Sequence, residues 1–118
     1  MSLFNLKNKS FLITGSSRGI GKSIALNAAI EGAKVIISSR KIDACNKTAD
    51  EINELIGSEV AFPIQANIAD KSQLINLVEE TNKILGKIDV LICNAATNPF
   101  MGSMADIPSD AFDKIMNN

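Results

Sequence analysis

Three glycines and a cation stand together near the start of the chain, in the run Thr14-Gly15-Ser16-Ser17-Arg18-Gly19-Ile20-Gly21. Glycines at such spacing act through the side chains they lack. Gly15 permits a tight exit from a strand. Gly19 lets the backbone approach a pyrophosphate, and Gly21 lets a helix sit close to a sheet. Unpaired N–H groups at the start of that helix, at the positive end of its dipole, then face the phosphates. A second group is Ser38-Ser39-Arg40-Lys41, which carries two cations and no carboxylate. Two more are Asn67-Ile68 and Asn94-Ala95-Ala96. Other chemistries are closed. The chain has no His and no Tyr, so a His-based triad and a phenolic general acid are both impossible within it. Its two cysteines, Cys45 and Cys93, have no metal-ligand spacing, so no metal site is expected. Both read as small buried apolar residues.

The elements that must position these residues alternate along the chain. Phe11-Leu12-Ile13-Thr14 reads as a buried strand that runs straight into the glycine turn. Ile20, Ile24 and Ala28 then recur at helical spacing up to Gly32. Val35-Ile36-Ile37-Ser38 is a second buried strand, and Cys45, Ala49, Ile52 and Ile56 mark one face of a second helix ending at Gly57. Val60, Phe62 and Ile64 alternate as a third strand. Pro63 inside it cannot donate to a ladder, which sends that strand to a sheet edge or a bulge. Asp70 with Gln73 resembles a capping box. Leu74, Leu77, Val78, Thr81, Ile84 and Leu85 follow as the stripe of a third helix closed by Gly86. Val90-Leu91-Ile92-Cys93 is a fourth strand, and a last helix starts around Asp110 to Met116. Buried strands separated by amphipathic helices require crossovers, hence a parallel sheet with flanking helices. The expected fold is α/β, the N-terminal half of a Rossmann-type sheet with strand order 3-2-1-4, which puts the Pro63 strand at an edge.

The glycine spacing is Gly-x-x-x-Gly-x-Gly, and the run T-G-S-S-R-G-I-G resembles the T-G-x-x-x-G-x-G signature of the short-chain dehydrogenases/reductases. Asn94-Ala95-Ala96 is similar to the N-N-A-G motif of that family, with Cys93 in place of its first Asn and Ala96 in place of its Gly. The run from Asn94 to Ser103 also resembles the carbonyl-reductase branch that includes NADPH-dependent retinal and ketone reductases. The resemblance covers essentially the whole chain.

In a Rossmann unit the residue ending the second strand meets the adenosine ribose, where a carboxylate favours NAD and an arginine accommodates a 2′-phosphate. Ser39 and Arg40 therefore point to NADP over NAD, with Arg18 as a second cation. Each charge-assisted contact is worth about 1.5–3 kcal/mol. The alternative is that Arg40 and Lys41 form a solvated turn. Asn67 and Ile68 stand where the family flanks the adenine, although Asn67 serves equally well as a turn residue. Ile20 is expected at the nicotinamide end, with Asn94, Ala95 and Ala96 beside the nicotinamide ribose. The cofactor-binding set is thus Gly15, Ser17, Arg18, Gly19, Ile20, Gly21, Ser39, Arg40, Asn67, Ile68, Asn94, Ala95 and Ala96. The apolar stretch Asn98-Pro99-Phe100-Met101 with Met104 flanks a substrate pocket by resemblance, or packs against further structure.

The resemblance implies an Asn-Ser-Tyr-Lys tetrad, whose tyrosine protonates the substrate oxygen as hydride arrives. The Ser and the Tyr-x-x-x-Lys segment fall beyond Asn118, and the tetrad Asn is either the next residue or Asn118 itself. Residues 1–118 are accordingly expected to be the N-terminal portion of one NADP-binding domain, truncated before its catalytic segment. In the order 3-2-1-4 the outer edge of the fourth strand stands uncovered, and Phe112, Ile115 and Met116 lack a partner. At 118 residues, with 46% hydrophobic and 21% charged residues and a formal net charge of −1, the chain forms at most one globular domain with no nucleic-acid surface. Met1 to Lys7 holds no secretory core, and no apolar run approaches the roughly 20 residues that span a bilayer, so a cytoplasmic protein is expected. The leading expectation is the NADP(H)-binding portion of a reductase acting on a small carbonyl or alcohol, inactive alone and homo-oligomeric when complete, or associating through the uncovered sheet edge. The alternative is a non-catalytic nucleotide-binding or interaction module, or an inactive gene fragment.

Overall fold

The computed structural model describes residues 6–94 and 99–102. The elements run β1 Ser10–Thr14, α1 Gly19–Ile30, β2 Lys34–Ser39, α2 Ile42–Ile56, β3 Ala61–Gln65, α3 Lys71–Leu85, β4 Val90–Asn94 and β5 Pro99–Gly102. They build one sheet of order β3-β2-β1-β4-β5. β1 pairs in parallel with β2 on one side and β4 on the other, and β2 pairs in parallel with β3. The parallel order 3-2-1-4 and the edge position of Pro63 are therefore as the patterning predicts.

The strands are covered on both faces, and their period of two divides the core. Phe11, Ile13, Val35 and Ile37 turn to the face covered by α1 and α2, together with Ala25, Ala29, Cys45 and Ile52. Leu12, Ile36 and Leu91 turn to the opposite face, against Leu74 and Leu77 of α3. Each buried leucine contributes about 1.5–3 kcal/mol of apolar transfer. Val60 precedes β3 and packs with the α1–α2 face, whereas Phe62 and Ile64 pack with the α3 face, so the third strand starts one residue later than its alternation predicts. Among the described residues no helix is long and apolar enough to cross a membrane.

Two expectations are corrected. On α1, Ile24 and Ala28 pack on the core as their spacing predicts, but the buried stripe is Gly21, Ala25, Ala28 and Ala29, and Ile20 is 67% exposed. Small side chains allow the helix axis to approach the sheet, so α1 turns its short residues inward and leaves Ile20 and Ile30 outside. The outer edge of β4 is also not open. β5 returns antiparallel along it, pairing Pro99 with Asn94 and Gly102 with Leu91. Pro99 opens this edge strand, a position where its missing N–H costs little. The expected helix from Asp110 to Met116 lies outside the described residues.

Candidate functional site

The parallel strands all end on one side of the sheet. The register sets Thr14 beside Ser38 and Cys93, and Ser39 beside Gln65, so the loops after β1, β2, β3 and β4 leave from one edge. From β1 the chain goes to β2 and β3 on one side, then crosses to β4 on the other. Ligands of open α/β sheets bind in the crevice at such a reversal.

The glycine loop occupies that reversal. Gly15 has φ +62° and Gly19 has φ +63°, values that favour glycine. A Cβ built on Gly19 would meet no atom within 4 Å, so the loop is open on that side. Arg18 is the N-cap of α1, exposed and extended at φ −161° and ψ 169°, with no side-chain cap bond and no acidic residue in the first turn. The N-cap side chain thus satisfies none of the opening N–H groups of α1, an arrangement that suits an anion. By contrast, Asp70 caps α3 by accepting from the Ser72 N–H at 3.0 Å. The Ser72 hydroxyl and the Gln73 amide also hold the Asp70 carboxyl below its ordinary range.

Neighbouring elements pin this loop. Ser16 is fully buried. Its Oγ donates to the Ile13 carbonyl at 2.7 Å and accepts from the Ser38 N–H at 2.9 Å. The Ser16 N–H in turn donates to the Ser38 carbonyl at 3.1 Å, so the β1–β2 ladder runs on into the turn. Thr48 of α2 donates from Oγ1 to the Ser17 carbonyl at 2.9 Å, and Lys22 of α1 pairs with Glu51 of α2 at 2.6 Å.

The second loop is held as firmly. Ser39 Oγ accepts from the Lys41 N–H at 3.3 Å and lies 3.2 Å from Cys45 Sγ. Gln65 at the end of β3 donates from Nε2 to the Arg40 carbonyl at 2.7 Å, and the Ala66 N–H donates to the Ser39 carbonyl at 3.0 Å. The Arg40 side chain is exposed.

Asn67 uses its Oδ1 within a turn, accepting from the Ala69 N–H at 3.1 Å, and its own N–H donates to Gln73 Oε1 at 2.8 Å. The predicted capping box is thus modified: Gln73 reaches back to Asn67 and donates its Nε2 to Asp70 at 3.2 Å. Ile68 packs half-buried against the α3-side core. Cys93 is buried at the end of β4, and burial pushes its thiol up to about 11 against the lowering effect of its hydrogen bond with Thr14.

Of the thirteen predicted residues, Gly15, Ser17, Arg18, Gly19, Ile20 and Gly21 form one loop and helix start, and Ser39 and Arg40 lie on the adjacent strand end. Asn67 and Ile68 follow β3. The Asn94 backbone closes β4. The Asn94 side chain, Ala95 and Ala96 lie outside the described residues, as do Asn98, Met104 and Asn118. Sequence reasoning leaves out Ser16, Thr48 and Gln65, whose side chains help hold the loops in place. A polar residue on a buried helix face, as at Thr48, is the signal that points to one of them.

A family model described as short chain dehydrogenase matches residues 9–118. The chain is similar to the 7α-hydroxysteroid dehydrogenase of Escherichia coli (strain K12), with 39% identity over 104 residues, 86% of this chain and 40% of that protein. Among solved structures, a short-chain type dehydrogenase/reductase from Mycobacterium marinum is 37% identical, with a TM-score of 0.75 over 99% of this chain and 48% of the other. An active-site complex of Pseudomonas aeruginosa RhlG with NADP is 29% identical, with a TM-score of 0.72 over 97% of this chain and 41% of the other. The chain therefore spans less than half the length of these relatives.

Proposed function

The chain belongs to the short-chain dehydrogenase family, and from that premise we propose that it is the nucleotide-binding portion of an NADP(H)-dependent oxidoreductase passing hydride between nicotinamide and a small carbonyl or alcohol. The observation that carries the reading is an α1 N-terminus whose N-cap, the exposed Arg18, makes no side-chain cap bond, together with a second exposed cation, Arg40, just past the end of the neighbouring strand β2. The open face at Gly19 and the uncapped N–H groups fit a pyrophosphate. Ser39 and Arg40, where a carboxylate would select the ribose diol, fit a 2′-phosphate. The NADP in the Pseudomonas relative supports the same choice.

In this reading Gly15, Ser17, Gly19 and Gly21 shape the phosphate cradle, and Arg18, Ser39 and Arg40 hold the 2′-phosphate. Asn67 and Ile68 flank the adenine, although the Asn67 oxygen is already engaged in its turn. Ile20, exposed on α1, lies against the nicotinamide end, and Asn94, Ala95 and Ala96 lie beside its ribose. When bound, the nicotinamide supplies or accepts the hydride. The protonating phenol implied by the family resemblance is not among these residues, since the chain has no Tyr. We accordingly take residues 1–118 as the N-terminal portion of a larger domain, cytoplasmic and homo-oligomeric in its complete form.

Fluorescence titration with NADPH and NADH tests this. The chain binds NADPH more tightly, and Arg40→Ala weakens NADPH by about tenfold or more, the loss of one charged hydrogen bond, while NADH changes less than twofold. Equal losses would overturn the assignment of NADP, and absence of binding to either nucleotide would overturn the whole reading. Turnover of a ketone by the 118-residue chain would refute the missing proton donor.

A further inference from the structure

Thr48 is 2% exposed and lies in the second turn of α2. A threonine inside a helix commonly returns its hydroxyl to its own backbone, as Thr81 does to the Leu77 carbonyl at 2.8 Å. Thr48 bonds elsewhere: its Oγ1 donates to the Ser17 carbonyl at 2.9 Å, 31 positions away in the glycine loop. A peptide is planar, with C=O and N–H on opposite sides. Holding the Ser17 carbonyl against α2 therefore directs the Arg18 N–H away from α2.

The two residues that follow are Arg18, extended at the N-cap of α1, and Gly19 at φ +63°. Both take their direction from that peptide plane. Rotating it would redirect the Arg18 side chain and the first N–H groups of α1 together. α2, which carries Thr48, begins beside Arg40, where Ser39 Oγ accepts from the Lys41 N–H and meets Cys45 Sγ. One rigid element thus touches both loops of the site. The Lys22–Glu51 pair is a second tie between α1 and α2, but its side chains are 38% and 44% exposed and solvent screens it. The buried hydroxyl is the stronger constraint.

We infer that Thr48 is a positioning residue for the nucleotide site: its hydroxyl sets the Ser17–Arg18 peptide plane and makes α2 the common support of the glycine loop and the Ser39–Arg40 strand end. This rests on the nucleotide-binding reading for its ligand, and on geometry alone for the loop.

The test compares the chain with its Thr48→Val and Thr48→Ser variants in two assays. Limited trypsin digestion without nucleotide follows cleavage after Arg18, and titration follows NADPH and NADH. Thr48→Val cleaves several-fold faster after Arg18 while its other sites keep their rates, and it binds both nucleotides more weakly, NADPH by about tenfold or more and NADH by less because NADH has no 2′-phosphate for Arg18 to lose, since a partly buried carbonyl loses its donor. Thr48→Ser, which keeps the hydroxyl, behaves as the original chain in both assays. An unchanged cleavage rate in Thr48→Val, a uniform rise at all sites, or a Thr48→Ser variant as impaired as Thr48→Val overturns the inference. Failure of the original chain to bind either nucleotide refutes the proposed function instead, and the proteolysis comparison still decides the role of Thr48.

Discussion

Ser16→Ala deletes one oxygen at a position with no solvent exposure, and the consequence can be worked out bond by bond. The Ile13 carbonyl loses a donor at 2.7 Å. It is an acceptor with two lone pairs, so this loss is the milder one. The Ser38 N–H loses its acceptor at 2.9 Å, and a buried N–H with no partner costs about 1–3 kcal/mol. The bond from the Ser16 N–H to the Ser38 carbonyl belongs to the backbone and survives. The net loss is about 2–3 kcal/mol, a large fraction of the roughly 5–15 kcal/mol that stabilises a domain. Urea unfolding measures it as a lower midpoint at unchanged slope. The glycine loop keeps that backbone tie to β2 and loses only the one through the Ser16 oxygen, so in the proposed reading nucleotide affinity falls along with stability. A stability loss below about 0.5 kcal/mol would refute the argument, because it would mean that the Ser38 N–H finds another acceptor without the Ser16 oxygen.

Two further outcomes follow from the strand ends. The Asp89 carboxylate accepts from the Ser10 N–H at 2.8 Å and pairs with Lys87 at 3.1 Å. Burial is the largest single influence and raises its pKa, but the Ser10 N–H and Lys87 together outweigh it and leave the group below its ordinary 3.8. A folded pKa below the unfolded one gives stability that is complete above about pH 5 and is lost as pH falls through the folded value. Asp89→Asn therefore lowers stability by about 1 kcal/mol at pH 7, discounted for partial exposure, and flattens the acid limb of the stability–pH curve. Superimposable curves for the two proteins would contradict this. At Cys93 the prediction concerns reactivity. With its thiol raised from an ordinary 9.0 to about 11, the thiolate fraction at pH 8 falls about a hundred-fold. Native chain should resist a disulfide-exchange reagent at Cys93 and react fully once unfolded, and rapid labelling of native Cys93 would show the thiol to be accessible and ionised.

Local patterns carry the elements, and long-range register carries the site. The four parallel strands, the edge placement of Pro63 and the helix ends at Gly57 and Gly86 rest on period and on single residues, and they are visible without a structure. β5 is not, because four residues beginning with Pro99 are too few for a periodic signal. The face of α1 is legible only in part, right for Ile24 and Ala28 and wrong for Ile20. Ile20, Ile24 and Ala28 fit helical spacing, but so do Gly21, Ala25 and Ala28, and only close approach to the sheet chooses the smaller set. The ties that hold the loops are less legible again. Ser16 meets Ser38, Gln65 meets Arg40 and Thr48 meets Ser17 across 22, 25 and 31 positions. The first two follow from register: Thr14 beside Ser38 brings the residues just past β1 against the end of β2, and Ser39 beside Gln65 brings the end of β3 against Arg40. Thr48 follows from no register, only from the rule that a buried hydroxyl finds a partner, which names the need and not the partner. Glycines make room at the reversal of the sheet, but room has no direction. Ser16, Thr48 and Gln65 supply the direction, and through them β2, α2 and β3 decide where Arg18, Arg40 and the opening N–H groups of α1 point.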